Sequence, residues 1–408
     1  MVLMKKATPM AAFLCSLKTN VFNKFIKSVN YKFSSKAIFM RIKGNITGVP
    51  YQALLGNVLP SIDFRNLDIN SAPPTFWLNY GLMNGFAVSK WVSPKRTRSY
   101  PYERVYNTLS ANKKITIIPI IKDEGSAGDR DFIQWDTISL MSLLDIFVIF
   151  AYYSDAERHP TRDNKITNQK LDDIFIKSKI AEIASYHSSA LHWNLKELNA
   201  QNFHNLIESV KTSYNRIGSN LNISMHNVSG IDNFRNNITT DMNLFKQFSR
   251  DKAQQAQQRE FVTVQPKELL STATKAKITI KNYLGGEYFF TVDEVKLTDQ
   301  QVYLIEAKHS NSSILPSLSD IKDGLLKLVL YCNLENVTVD DIPMSSKAVL
   351  KLTSKHIIGW ITNYSDQTQL NYFYQNNPSV FSKQNFISEL FYEANQNNIM
   401  VVIGDFSV

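Results

Sequence analysis

Two carboxylates and one ammonium, those of Asp293, Glu306 and Lys308, lie in a segment whose other residues are largely apolar. The segment, Glu287 to Ser310, reads EYFFTVDEVKLTDQQVYLIEAKHS. Its two halves are rich in aromatic and β-branched residues and are separated by the polar stretch TDQQ, which predicts a β-hairpin. These three charged groups, set among the apolar residues of the two strands, do nothing for folding, but they suit the binding of a divalent cation.

The register of the hairpin places these charges relative to one another. If Leu297 faces Val302 across the turn, Asp293 lies directly opposite Glu306. The Cβ atoms of such a pair are about 4.5–5.5 Å apart, and like charges there destabilise the pair. Lys308 projects from the same face as Glu306, because side chains alternate along a strand. Without a cation the two acids are expected to repel each other, and both cannot ionise comfortably.

A magnesium ion fits this patch, because it accepts one or two carboxylates and keeps waters that leave room for a phosphate. A lysine beside it can orient or deprotonate an attacking water. Glu294 is a rival for the first acid, but it would oppose Ile305 and point to the other face of the hairpin. A Glu-x-Lys sequence at a strand end can also form an exposed salt-bridging surface; the apolar strands and the helix that follows favour a metal site.

Asp293, followed by Glu306-Ala307-Lys308 at the end of the next strand, resembles the signature of PD-(D/E)xK nucleases, and more narrowly that of type II restriction endonucleases. Val292 stands where the signature has proline. The wider run from TKAKITIKNYLGGEYFFTVDEVKL through IEAKHSNSSILPSLSDIKDGLLKLVLYCN is also similar to restriction-type proteins. So are WVSPKRTRSYPYERVYNTL and IIPIIKDEGSAGDRDFIQWDT, further upstream.

The resemblance implies an α/β fold, in which a mixed β-sheet flanked by helices forms a PD-(D/E)xK restriction endonuclease-like core and an additional N-terminal α/β region is attached. It implies Mg²⁺-dependent hydrolysis of double-stranded DNA at a specific sequence. Asp293, Glu306 and the Ala307 carbonyl would bind the metal, and Lys308 would serve the nucleophilic water. Symmetric cleavage of a palindrome would require a homodimer.

Two other functions stay open at this point. One is a nuclease of the same fold that acts in repair or in phage defence. The other is a non-catalytic DNA-binding protein with a decayed motif, which is disfavoured because all three motif positions hold chemically competent residues.

The net charge of +9 over 408 residues comes from one end of the chain. No Asp or Glu precedes Asp63, whereas nine of the 45 Lys and Arg residues do, which leaves 36 basic and 36 acidic residues in the remainder. A basic arm suits DNA phosphate contact. It is also weakly similar to a signal or transit peptide.

Cysteine content and hydropathy limit the cellular compartment and the kind of protein that the sequence can represent. Its two cysteines exclude a disulfide framework and a cysteine-based zinc site, and they fit a reducing, cytoplasmic compartment. The apolar segment Ile138 to Tyr153 contains Asp145 and two serines, so a buried helix is predicted there rather than a membrane span.

Basic residues outside the motif are candidates for DNA contact. Lys95, Arg96 and Arg98 alternate with tyrosine and proline between residues 93 and 104. Arginine can read guanine edges or bind phosphate bidentately. Lys322, on the helix predicted after the hairpin, could reach a DNA phosphate. An ordinary solvated surface is the alternative for all four.

The chain divides into four predicted regions: 1–45, a basic N-terminal arm; 46–215, an α/β region for DNA recognition; 216–260, a linker and polar helix; and 261–408, the nuclease core. A short helix is expected before residue 62, and residues 218–240 are expected to form a loop.

A second acidic cluster, Asp123, Asp129 and Asp131, follows the predicted buried strand KITIIPII. It is a rival metal site, although loop structure and capping of the next helix by Asp131 are favoured.

Overall fold

The computed structural model describes residues 40–56, 58–81, 84–96, 100–262 and 275–405. Residues 1–39, which make up most of the predicted basic arm, lie outside these ranges. Within them, no helix has the length and hydropathy needed to cross a bilayer.

The chain is a mixed α/β protein with several mixed sheets flanked by helices. Its strands are β1 (Arg41–Ile46), β2 (Ser61–Asp63), β3 (Thr75–Tyr80), β4 (Asn84–Lys90), β5 (Lys114–Pro119), β6 (Ile121–Asp123), β7 (Arg130–Phe132), β8 (Ile146–Ala151), β9 (Tyr153–Arg158), β10 (Ile166–Leu171), β11 (Ala276–Asn282), β12 (Glu287–Val292), β13 (Glu294–Leu297), β14 (Gln301–Ser310), β15 (Glu335–Val339), β16 (Ile342–Pro343), β17 (Ser345–Ser354), β18 (Trp360–Thr362) and β19 (Met400–Gly404). Its helices are α1 (Pro101–Tyr106), α2 (Trp135–Leu143), α3 (Asp173–Ala184), α4 (Ala190–Glu197), α5 (Ala200–Leu221), α6 (Ser229–Thr240), α7 (Met242–Val262), α8 (Leu318–Tyr331), α9 (Gln367–Asn376), α10 (Pro378–Phe381) and α11 (Gln384–Gln396).

The first sheet joins distant parts of the chain in the order β12-β11-β1-β15-β16. Strand β1 is parallel to β11 and antiparallel to β15. The predicted boundary at residue 45 therefore falls inside a strand whose neighbours come from the predicted nuclease core. Residues 41–46 belong to the sheet and not to an arm.

The second sheet has the order β2-β3-β4-β5-β8, and β5 is buried along its whole length, as predicted. The single helix predicted from Ile138 to Tyr153 is wrong. Helix α2 ends at Leu143, Asp145 takes a left-handed conformation, and the run IFVIFA forms β8, parallel to β5. Aromatic and β-branched residues fit a strand that is buried on both faces, and pairing with a strand distant in sequence decides the outcome.

The third sheet, β13-β14-β17-β19-β18, carries the predicted motif. Strands β14 and β17 are parallel over ten residue pairs, from Gln301↔Ser345 to Ser310↔Ser354. Leu304 faces the main core on one side of β14, and Ile305 belongs to a smaller cluster with Val349 on the other side. The two faces of this sheet thus pack against separate apolar clusters.

Local expectations elsewhere were met unevenly. Residues 51–56, where a short helix was expected, form no regular element, and much of the predicted loop at 218–240 is helix α6. Asp131 lies in β7 and does not cap α2, whose N-cap residue is Gln134.

A buried carboxylate ties three of these parts together. Glu393 of α11 is fully buried and accepts hydrogen bonds from the Tyr106 hydroxyl at 2.7 Å and from the backbone N–H groups of Leu54 and Leu55 at 2.8 Å. The Tyr51 hydroxyl donates to it as well. One side chain therefore fixes α1 and the segment after β1 against the C-terminal helix.

Glu393→Ala is expected to lower the free energy of unfolding by about 3–5 kcal/mol, because it leaves several buried donors without an acceptor. Glu389→Ala, at an exposed position of the same helix, should change it by less than about 0.5 kcal/mol. Urea unfolding of both variants measures the difference. Similar losses in the two would show that Glu393 is not a specific anchor.

Candidate active site

The predicted hairpin register is confirmed. Strands β13 and β14 pair Leu297 with Val302 and Glu294 with Ile305, so the next step places Asp293 opposite Glu306. One detail differs from the prediction. The first predicted strand of the hairpin is divided into β12, which pairs with β11, and β13, which pairs with β14. Asp293 lies between β12 and β13. Asp293 is the point at which the chain passes from the first sheet to the third.

Backbone and side-chain contacts hold the two acids in place. The Asp293 Oδ2 atom accepts a hydrogen bond from the Ala307 N–H at 3.0 Å. Glu306 is only 1% exposed; its Oε1 lies 3.0 Å from Lys308 Nζ and its Oε2 lies 2.8 Å from Lys327 Nζ. The structure thus brings Asp293, Glu306 and Lys308 together and adds Lys327, which sequence reasoning had missed.

Glu294, the rival first acid, lies on the opposite face, as the register predicted. Its carboxylate is 3.1 Å from Lys351 Nζ and 3.5 Å from Lys296 Nζ. It therefore belongs to a separate ion pair and takes no part in the patch around Glu306.

The charges of the two acids are unequal. Burial, together with the neighbouring Glu306 charge, raises the pKa of Asp293 to about 7. Burial also acts to raise the pKa of Glu306, but the ammonium groups of Lys327 and Lys308 outweigh it and hold that pKa below its usual value. The repulsion between the two acids therefore acts on one of them. Glu306 is held in its ionised form, and ionisation of Asp293 is disfavoured.

Helix α8 supplies the remaining side chains of the site. Asp323 Oδ2 lies 3.4 Å from Lys308 Nζ, and the pKa of Lys308 is raised because Glu306 and Asp323 outweigh the effect of its burial. A Cβ atom at Gly324 would lie 3.1 Å from Lys308 Cε and 3.4 Å from Glu306 Cγ. The glycine lets the helix approach this closely. Spacing could have revealed the pair, since Asp323 and Lys327 are four residues apart on one helix face.

Lys322, expected to contact DNA phosphate, is in a different place. Its side chain is fully buried, its ammonium donates to Asn107 Oδ1 at 2.7 Å, and it lies 5.7 Å from the centre of the Tyr106 ring. A buried ammonium in this position joins α8 to α1 and does not face a phosphate.

The other DNA-contact candidates differ in exposure. The Lys95 side chain is 43% exposed and its Nζ lies 3.9 Å from Asp131. Arg96 is mostly buried; it donates to the Phe289 carbonyl at 2.8 Å and stacks over Phe290, so it supports β12. Arg98 lies outside the described residues.

The second acidic cluster does not assemble into a rival site. Asp123 is buried and lies 2.7 Å from His226 Nδ1, whereas Asp131 accepts a hydrogen bond from Ser93. In the ranges that the structure describes, no three His, Cys, Asp or Glu side chains are arranged to hold a metal ion. The patch at Asp293 offers two carboxylates, so a metal there would need backbone or water oxygens as well.

The donor set at Asp293 and Glu306 suits a hard divalent cation. All its ligand atoms are oxygens, which Mg²⁺ prefers. Asp293 is a buried acid beside a second acid, and a cation between the two would remove the cost of ionising it. For a cation to bind Glu306, Lys308 or Lys327 would have to release the carboxylate oxygen of Glu306 that it contacts.

No family model, curated protein or solved structure matches this chain. The resemblance to PD-(D/E)xK nucleases therefore rests on the signature residues of the sequence alone.

Replacing Asp293 with asparagine should reveal its ionisation cost. In chelator, the parent loses stability as the pH rises from the unfolded value near 4 to the folded value of about 7, because folding favours the protonated acid. Asp293→Asn carries no such cost, so its free energy of unfolding relative to the parent should rise by about 1–3 kcal/mol between pH 5 and pH 8.

Urea unfolding at the two pH values measures this difference. Adding millimolar Mg²⁺ should stabilise the parent at pH 8 and reduce the difference. If the difference in free energy of unfolding between the two proteins does not change with pH, Asp293 is not the acid whose pKa is raised by folding.

Proposed function

We propose that the protein is a Mg²⁺-dependent endonuclease that hydrolyses phosphodiester bonds of double-stranded DNA at a specific sequence, in the manner of type II restriction enzymes. The observation that carries the proposal is the meeting of Asp293, Glu306 and Lys308 in one buried patch, with the order and spacing of the nuclease signature. Glu306 is already paired with two ammonium groups, but the Asp293 carboxylate gains nothing from lying beside the charge of Glu306 unless a cation joins them.

The residues have distinct functions in this proposal. Asp293 and Glu306 hold the metal, and the Ala307 carbonyl is a further ligand. The metal supplies Lewis-acid activation of water and phosphate. Lys308 lies between the carboxylates of Glu306 and Asp323, 3.0 and 3.4 Å from its ammonium, which favours the charged form. It therefore orients the attacking water by donating a hydrogen bond.

Exposure indicates how DNA would approach. The most exposed side chains of the patch are those of Asp323, Lys308 and Lys327, at 25, 19 and 14%, whereas Glu306 lies beneath them. A phosphate entering the site would pass these groups. Cleavage of both strands of a palindrome would bring a second copy of the chain to the same site.

Lys308→Ala should lower the cleavage rate by at least about 10²-fold, because the attacking water then loses the group that orients it. Its affinity for DNA in chelator should stay within a few-fold of the parent, because the lysine acts on water. Lys296→Ala, on the neighbouring strand and the opposite face, is the matched control and should keep its activity. A Lys308 variant that cleaves as fast as this control would contradict the assignment.

Digestion of unmethylated phage DNA with Mg²⁺ tests the substrate. The proposal predicts a reproducible set of discrete fragments and no cleavage in chelator. A smear, or cleavage limited to damaged DNA, would favour a repair or defence nuclease of the same fold. Binding without cleavage would favour a non-catalytic protein.

A further inference from the structure

Helix α8 carries two charged side chains, those of Asp323 and Lys327, to which the proposed mechanism assigns no function of their own. Asp323 and Lys327 are one turn apart on the face of α8 that packs against β14. Gly324 lies between them in sequence, and a methyl group there would press on Lys308 Cε and Leu350 Cδ1 and would touch Glu306 Cγ. The two side chains are therefore held at the site by the backbone of the helix.

Three ion pairs and one turn of α8 together form a ring of alternating charges. Lys327 Nζ lies 2.8 Å from Glu306 Oε2, Glu306 Oε1 lies 3.0 Å from Lys308 Nζ, and Lys308 Nζ lies 3.4 Å from Asp323 Oδ2. The helical turn from Asp323 to Lys327 closes the ring. Each oxygen of Glu306 faces an ammonium from a different element, and Lys308 has a carboxylate on either side.

This ring cannot stay unchanged when a cation binds. A divalent ion between Asp293 and Glu306 needs an oxygen of Glu306 that an ammonium now contacts. Lys308 retains Asp323 as a second carboxylate partner when it gives up part of its contact with Glu306. Lys327 contacts the other oxygen directly, so a cation there competes with it.

We propose that Lys327 is an exchangeable counter-ion of Glu306, which occupies the carboxylate until the divalent cation binds, and that Asp323 is a positioning residue that draws Lys308 away from Glu306. The proposal rests on the cation site of the proposed function. Lys327 then weakens cation binding, and Asp323 strengthens it. A purely structural role would give the same sign for both, because loss of either side chain would loosen the site.

Calorimetric titration of the full chain with Mn²⁺, without DNA, tests these signs. Lys327→Met should bind Mn²⁺ at least about tenfold more tightly than the parent, because a competing positive charge is gone. Asp323→Asn should bind it several-fold more weakly, because Lys308 then has only Glu306 as its partner within this ring. Lys327→Arg, which keeps the charge, should remain close to the parent.

Lys351→Met is the matched control. It removes a lysine whose side chain is 10% exposed, against 14% for Lys327, and which lies 3.1 Å from a carboxylate on the opposite face of the same sheet. It should destabilise the protein but leave Mn²⁺ affinity within about twofold. Urea unfolding verifies that each variant is folded at the titration temperature.

Weaker binding by both Lys327→Met and Asp323→Asn, equal affinities in all variants, or no Mn²⁺ binding by the parent would overturn the proposal. Its failure can be distinguished from failure of the proposed function. Opposite shifts in Mn²⁺ affinity in a protein that cuts no DNA would support the counter-ion and contradict the nuclease. Cleavage of DNA without these shifts in Mn²⁺ affinity would support the nuclease and contradict the counter-ion.

Discussion

Placing two carboxylates side by side away from water is the constraint on which the rest of the site depends. A buried charge is costly unless it is paired, and two like charges add repulsion to desolvation. The protein meets this constraint at Glu306 with two ammonium groups, one from β14 and one from α8. It leaves Asp293 with a backbone N–H and a pKa of about 7. Replacing Glu306 alone by an apolar side chain would leave two largely buried ammonium groups without this partner, so the paired charges stabilise the site as a set.

The surrounding fold is what makes this geometry possible. Asp293 lies at the junction of two sheets, where β12 leaves one and β13 enters the other, and Arg96 fixes the preceding strand through the Phe289 carbonyl. On the other side, Gly324 allows α8 to approach β14 closely, and the buried Lys322 fastens the same helix to α1. The two acids are thus positioned by elements from both halves of the chain.

The sequence predicted the register of the hairpin better than it predicted the fold around it. The register of Asp293 against Glu306 follows from local pairing across a short turn, and alternation then places Lys308 and excludes Glu294. The faces of α8 were harder to assign. Lys322 and Asp323 are adjacent in sequence, yet one is buried against α1 and the other faces the site, because the packing partners of the helix come from distant segments. The strand β8 was missed for the same reason, since its pairing with β5 is not visible in a local hydrophobic run.

Asp293 and Glu306 are proposed to form one divalent-cation site. A double-mutant cycle of Mn²⁺ affinities, measured by calorimetry for the parent, Asp293→Asn, Glu306→Gln and the double variant, tests it directly. A shared site predicts one bound ion per chain, a large loss of affinity in each single variant, and little further loss in the double variant. Affinities that stay at the parent value in either single variant, or losses that simply add, would mean that the two carboxylates do not hold the same ion.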